Sequence, residues 1–166
     1  TRKIRYCFTR IKSLINFKTR KSRMTETFVP SQSSTTKKWY VIDANEQILG
    51  RLASKTCTIL TGKNKSTYTP YLETGDCVII INAEKIKVTG KKASNKIYRR
   101  HSGFIGGMKT ELFSSLIERY PEKILEKAIK GMLPKGKLGR KLFTNVKVYK
   151  GNEHPHEAQN PVPLTL

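Results

Sequence analysis

From Trp39 onward the apolar side chains fall into alternating strand-like and helix-like stretches. Trp39-Tyr40-Val41-Ile42 reads as a strand, ended by the turn formers Asp43-Ala44-Asn45. From Ile48 the positions Leu49, Leu52, Ala53, Thr56, Ile59 and Leu60 recur at helical spacing, and Gly62 suits the cap. Cys77-Val78-Ile79-Ile80-Ile81 has no polar interruption, the pattern of a central strand covered on both faces. Ile86-Lys87-Val88 predicts a shorter strand, Gly90 opens a polar, basic turn of helix, and residues 96–101 read as extended. Leu112, Phe113, Leu116 and Ile117 predict a helix closed by Pro121. Pro121 opens another in its first turn, with Ile124, Leu125, Ala128, Ile129 and Met132 facing inward. A short helix over 138–146 and a strand over 147–149 follow.

Strands alternating with helices predict the α/β class: a single three-layer α/β/α domain with a mostly parallel four-stranded sheet. This domain spans residues 39–151, behind a basic N-terminal extension over 1–38. Residues 152–166 hold three of the seven prolines and are expected to form an irregular tail. No apolar run approaches the roughly 20 residues of a membrane-spanning helix, so no membrane partner is expected.

Charge narrows the partner. The chain of 166 residues carries 33 Lys+Arg against 12 Asp+Glu, a net charge of +21, which calls for a polyanion. Its distribution says more. Residues 1–38 hold 11 basic residues and one acid, Glu26. That composition fits an organellar transit peptide, or a basic arm of the mature protein that folds only on its partner. Farther on, no acid falls between Glu84 and Glu111 or between Glu126 and Glu153, and each gap holds eight Lys/Arg with Lys127 counted. Arg119, Lys123 and Lys127 alternate instead with Glu118, Glu122 and Glu126, predicting a neutralised, solvated helix face.

Little in the chain suggests catalysis. Gly103-Phe104-Ile105-Gly106-Gly107-Met108-Lys109-Thr110 approaches a phosphate-cradling loop, but Met108 stands where the second glycine is required. Its glycines nonetheless suit a backbone approach to RNA phosphates. His154-Pro155-His156 lacks the further ligands a metal site needs, and Cys7, Cys57 and Cys77 match no disulfide or metal spacing. Cys57 and Cys77 read as small buried hydrophobes. No catalytic residue, metal, cofactor or small-molecule substrate is expected.

The basic clusters carry the functional reading. Lys63 and Lys65 sit among hydroxyls and Tyr68; Lys91 and Lys92 lead to Tyr98, Arg99, Arg100 and His101; Lys109 follows the glycine-rich stretch. Arg grips phosphate bidentately, while Tyr and His stack on exposed bases. In Gly131-Met132-Leu133-Pro134-Lys135-Gly136-Lys137-Leu138-Gly139-Arg140, apolar ends anchor a stiff turn that lifts Lys135, Lys137 and Arg140 outward. A stiff turn loses less entropy on binding than a floppy tail.

The stretches "WYVIDANEQILGRLAS", "GKNKSTYTPYLETGDCVIIINAEKIKVTGKK", "YRRHSGFIGGMK", "KAIKGMLPKGKLGRKLF" and "VKVYKGNEHPHEAQNP" resemble, in order, the bacterial-type L-thirteen family of large-subunit ribosomal proteins. The resemblance runs from Trp39 to about Pro161, and its wording is most similar to cyanobacterial and plastid members. It implies an α/β/α protein that binds large-subunit rRNA, joins assembly early, contacts neighbouring large-subunit proteins and has no catalytic residue. It also implies RNA-binding roles for Lys63, Lys65, Lys91, Lys92, Tyr98, Arg99, Arg100, Lys109, Lys135, Lys137 and Arg140. Ala93-Ser94-Asn95 departs from the family by lacking a basic residue, so no RNA contact is expected there. An organellar ribosome, most naturally a plastid one, is the expected location; a mitochondrial or bacterial one is the alternative.

Overall fold

The computed structural model describes residues 29–31 and 36–165, so the reading of the N-terminal arm lies largely outside the described residues. The chain runs β1 (Trp39–Asp43), α1 (Leu49–Thr61), β2 (Cys77–Ile81), a 3-10 turn (Ala83–Lys85) and a single-turn α2 (Lys92–Asn95). There follow β3 (Ile97–His101), β4 (Met108–Leu112), α3 (Phe113–Arg119), α4 (Pro121–Met132), α5 (Lys137–Thr144) and β5 (Val146–Val148). A 3-10 turn (Glu157–Gln159) and β6 (Val162–Pro163) finish it.

The expected α/β class and four-stranded sheet are present, with strand order β5-β2-β1-β6 and every neighbouring pair parallel. Uninterrupted apolarity puts β2 at an inner position, where its first four residues are buried. Register aligns Tyr40, Val78 and Val146 across one face, then Ile42, Ile80 and Val148. That face meets Leu52 and Leu60 of α1, Ile124, Leu125 and Ile129 of α4, and Leu142 of α5. All buried hydrophobic side chains of α1, α3, α4 and α5 join this cluster. Trp39, Val41, Cys77 and Ile79 alternate onto the opposite face. There the tail closes over the sheet: the His156 ring lies 5.4 Å from Trp39, and its Nε2 is 2.7 Å from the Tyr149 hydroxyl.

The fourth strand is not the expected 86–88 segment. That stretch makes an isolated bridge, Ile48 to Lys87, and the fourth place goes to β6 in the tail expected to be irregular. Pro163 fits because an edge strand need not donate on its outer side, and the Leu164 N–H donates to Val41 O at 2.8 Å. Residues 97–101 are extended as expected, but they pair with β4 as an antiparallel hairpin outside the main sheet. Leu112 ends that hairpin, so the following helix starts at Phe113. Helix α5 begins one residue before the expected 138 and ends at Thr144, leaving Val146 to begin β5.

The expected ion pairs along α3 and α4 do not form. Arg119 pairs with Glu111 at 3.7 Å, Lys123 lies 3.8 Å from the Tyr120 ring centroid, and Lys127 lies 5.0 Å from that of Tyr98. Exposed ion pairs gain so little that a nearby aromatic face competes with them.

Candidate nucleic-acid interface

Leu133 is buried at the end of α4, and Gly136 then adopts φ 139°, a conformation that glycine tolerates. A Cβ on Gly139 would stand 1.7 Å from the Pro134 carbonyl oxygen, so only glycine lets the turn close on itself. Lys135 is exposed on this turn, and Lys137 and Arg140 are exposed on the first turn of α5 that follows it. Met132, expected to face inward, is half-exposed and borders a cleft beside it.

Across that cleft lies the 62–68 loop, launched by Gly62 in the left-handed region at φ 77°. Lys63 and Tyr68 line the same cleft as Met132 and Pro134, so the tertiary fold joins two clusters separated in sequence. Lys65 goes elsewhere. Its ammonium donates to Asp76 Oδ1 at 2.6 Å and to the Thr74 carbonyl at 3.0 Å. Asp76 is wholly buried and also accepts the Lys38 N–H at 2.9 Å. A residue nominated for RNA is thus committed to an internal carboxylate.

The second basic surface is continuous in sequence. Lys91, Lys92 and Lys96 line an open cleft beside Gly90, and Lys96 leads into β3. In the hairpin Arg99 stands opposite Thr110 and Arg100 opposite Lys109. Like charges facing one another weaken a β-ribbon, and among the described residues neither Arg100 nor Lys109 has an ion-pair partner. Tyr98 is half-buried against the core, with Lys96 Nζ 5.4 Å and Lys127 Nζ 5.0 Å from its ring centroid. Burial raises its phenol pKa. A base stacking on this ring would have to displace those lysines.

The glycine-rich stretch forms the hairpin tip. Ser102 N–H donates to Gly107 O, Gly107 N–H to Phe104 O, and Gly103 N–H to His101 Nδ1 at 3.0 Å. These donors serve the turn, so the expected phosphate cradle is not assembled from them. They also engage the His101 ring through its Nδ1. Phe104 and Ile105 project from the tip, an exposed apolar pair that the sequence pattern did not single out.

Glu73 was equally inconspicuous in the sequence, and it ties three segments together. Its carboxylate accepts from Lys37, from Asn145 Nδ2 at 2.7 Å and from Lys141 Nζ at 2.9 Å. Burial would raise its pKa, but the hydrogen bonds from Lys37, Asn145 and Lys141 outweigh it and lower the value from 4.5 to about 2. The available signal was position: Glu73 and Asp76 are the acids immediately before the central strand.

The carboxyl ends of parallel strands, where α/β enzymes place their chemistry, are occupied by structural contacts. Asp43 Oδ1 accepts from Asn82 Nδ2 and from Asn45 N–H, both at 2.9 Å. Cys57 and Cys77 are buried as expected, and burial pushes the Cys57 thiol up to about 11, leaving it protonated near neutrality. Among the described residues no three His, Cys, Asp or Glu side chains are grouped to hold a metal.

The sequence pattern of the family described as Ribosomal protein L13 matches residues 37–155. The large ribosomal subunit protein uL13 of Prochlorococcus marinus is 62% identical over 143 residues, covering 86% of this chain and 95% of the relative. That of Crocosphaera subtropica is 62% identical and that of Synechococcus elongatus 58%, each with the same coverage. Since 128 residues follow Lys38, a match of 143 residues reaches at least 15 residues into the basic extension.

Proposed function

This chain belongs to the ribosomal protein L13 family, structural proteins and not enzymes, and from that premise we propose that it binds large-subunit rRNA within a plastid ribosome. The observation that carries the RNA reading is where the carboxylates go. Among the described residues they neutralise Lys37, Lys65, Lys87, Arg119 and Lys141. Of the cations nominated from sequence only Lys65 is among these. Lys63, Lys91, Lys92, Arg99, Arg100, Lys109, Lys135, Lys137 and Arg140 are exposed and, among the described residues, free of ion pairs, which suits an external polyanion. Among the described residues Glu118, Glu122 and Glu126 likewise form no ion pair, and this side we assign to neighbouring large-subunit proteins, away from RNA.

Replacing Lys135, Lys137 and Arg140 together with Ala tests the interface. Affinity for deproteinised large-subunit rRNA should fall, and its dependence on salt should flatten by roughly 0.7–0.9 for each phosphate no longer neutralised. Unchanged affinity and slope would remove the turn from the interface. The plastid assignment rests on the cyanobacterial relatives. Co-sedimentation of tagged protein with chloroplast large subunits is the expected result; recovery with mitochondrial subunits would overturn it. The reach of the 143-residue match supports a mature chain that retains residues 24–38. N-terminal sequencing of ribosome-bound protein should therefore give a start at or before residue 24.

A further inference from the structure

The cleft between α1, the 62–68 loop and the end of α4 has a volume of about 300 Å³. That is the low end of the range that accepts small organic molecules, and far too small for a duplex. Its walls are of three kinds. Tyr68 and Met132 supply large, exposed, polarisable surfaces facing a shared space, and Pro134 and the buried Cys57 extend the apolar lining. Helix α1 supplies hydroxyls, and Lys63 supplies a cation; among the described residues no carboxylate lines the cleft.

The hydroxyls have a definite polarity. Ser54 Oγ donates to Arg51 O at 2.9 Å, Thr58 Oγ1 to Ser54 O at 3.1 Å, and Thr61 Oγ1 to Cys57 O at 2.8 Å. Each has one hydrogen and spends it on the helix backbone, so what it offers the cleft is lone pairs. An occupant must then bring a flat apolar face, hydrogen-bond donors on its edge and a negative group near Lys63. We propose that the cleft receives one unpaired nucleobase of the RNA, stacked on Tyr68, with an exocyclic amino group donating to the α1 hydroxyls and its phosphate near Lys63. Adenine, cytosine and guanine carry such an amino group; uracil does not. This assignment rests on the rRNA-binding reading and adds a base contact to the phosphate contacts expected of the exposed cations.

The test uses the full chain, deproteinised large-subunit rRNA, and the variants Tyr68→Ala, Tyr68→Phe, Thr58→Val and Lys63→Ala. Tyr68 and Thr58 are exposed, so their replacement spares the core. Tyr68→Ala should lose roughly tenfold in affinity, the size of one base–aromatic stack. Tyr68→Phe should bind as the parent does, and Thr58→Val should weaken binding by a smaller factor. Neither loss should change the salt slope, because every phosphate keeps its cation, whereas Lys63→Ala should flatten it by about 0.7. Parental affinity in Tyr68→Ala would overturn the proposal, as would a loss accompanied by a changed slope. Ultraviolet crosslinking of the unaltered protein in intact subunits gives a second measurement independent of folding. A Tyr68 adduct with a loop or bulge nucleotide is expected; an adduct with a neighbouring protein or with a paired nucleotide would overturn it. If the Lys135/Lys137/Arg140 variant weakens binding and Tyr68→Ala does not, the cleft assignment falls while the rRNA reading stands. Parental binding by both would remove the cleft and the turn alike from the interface.

Discussion

Glu73 shows how single side chains decide which cations remain available. Its carboxyl, held near pKa 2 against an ordinary 4.5, stabilises the fold fully above about pH 4.5 and loses that contribution as pH falls toward 2. The urea midpoint of the unaltered protein should therefore fall across this window by more than that of Glu73→Gln. Equal slopes in the two would show that Lys37, Asn145 and Lys141 add nothing to stability through Glu73. Lys65 makes the complementary case. Lys65→Met leaves the Asp76 carboxylate buried without its cation and should cost about 3–5 kcal/mol in denaturant unfolding. If Lys65 instead contacted rRNA, the same variant would keep its stability and flatten the salt dependence of binding.

Among the elements, β6 has the weakest trace in the sequence. It is two residues long, contains a proline, and acquires meaning only from the open edge of β1. Truncation after Asn160 removes it together with Leu164, which packs against the core. The melting temperature should drop by several degrees, corresponding to roughly 1–2 kcal/mol. Unchanged melting would make the strand ornamental. The β3–β4 hairpin is the opposite kind of element: Lys96 through His101 announce an extended basic segment, but the partner strand Met108–Leu112 lacks a clear apolar alternation. An exposed two-stranded ribbon is marginal alone, and here Tyr98 pins one end to the core while Arg100 and Lys109 face each other unneutralised.

At the scale of the molecule, +21 net charge acts on folding and on binding with opposite sign. Raising salt screens the repulsion within the free protein and also weakens attraction to RNA. The isolated chain should melt at higher temperature in ~0.3 M salt than in ~0.02 M, while its affinity for rRNA falls over the same range. A melting temperature independent of salt would mean that the free cations sit too far apart to repel one another, contrary to the Arg100–Lys109 register.

The apolar periods of 39–42, 48–60, 77–81 and 121–132 sufficed to specify the sheet's inner strands and its main helices, because burial on a pleat or a helix face imposes those periods locally. Unpaired runs of Lys and Arg were equally legible, since a cation without neighbouring acids in sequence seldom finds one nearby. The fold alone decided the exceptions. Asp76 claimed Lys65 across the 62–76 loop, Glu73 gathered Lys37 and Lys141 from distant segments, and Lys127 left its helical neighbours for Tyr98. The cleft that brings Tyr68 to Met132 and Pro134 was decided in the same way. Such contacts depend on which surfaces the packed core brings face to face, and a pattern of period two or 3.6 carries no record of them.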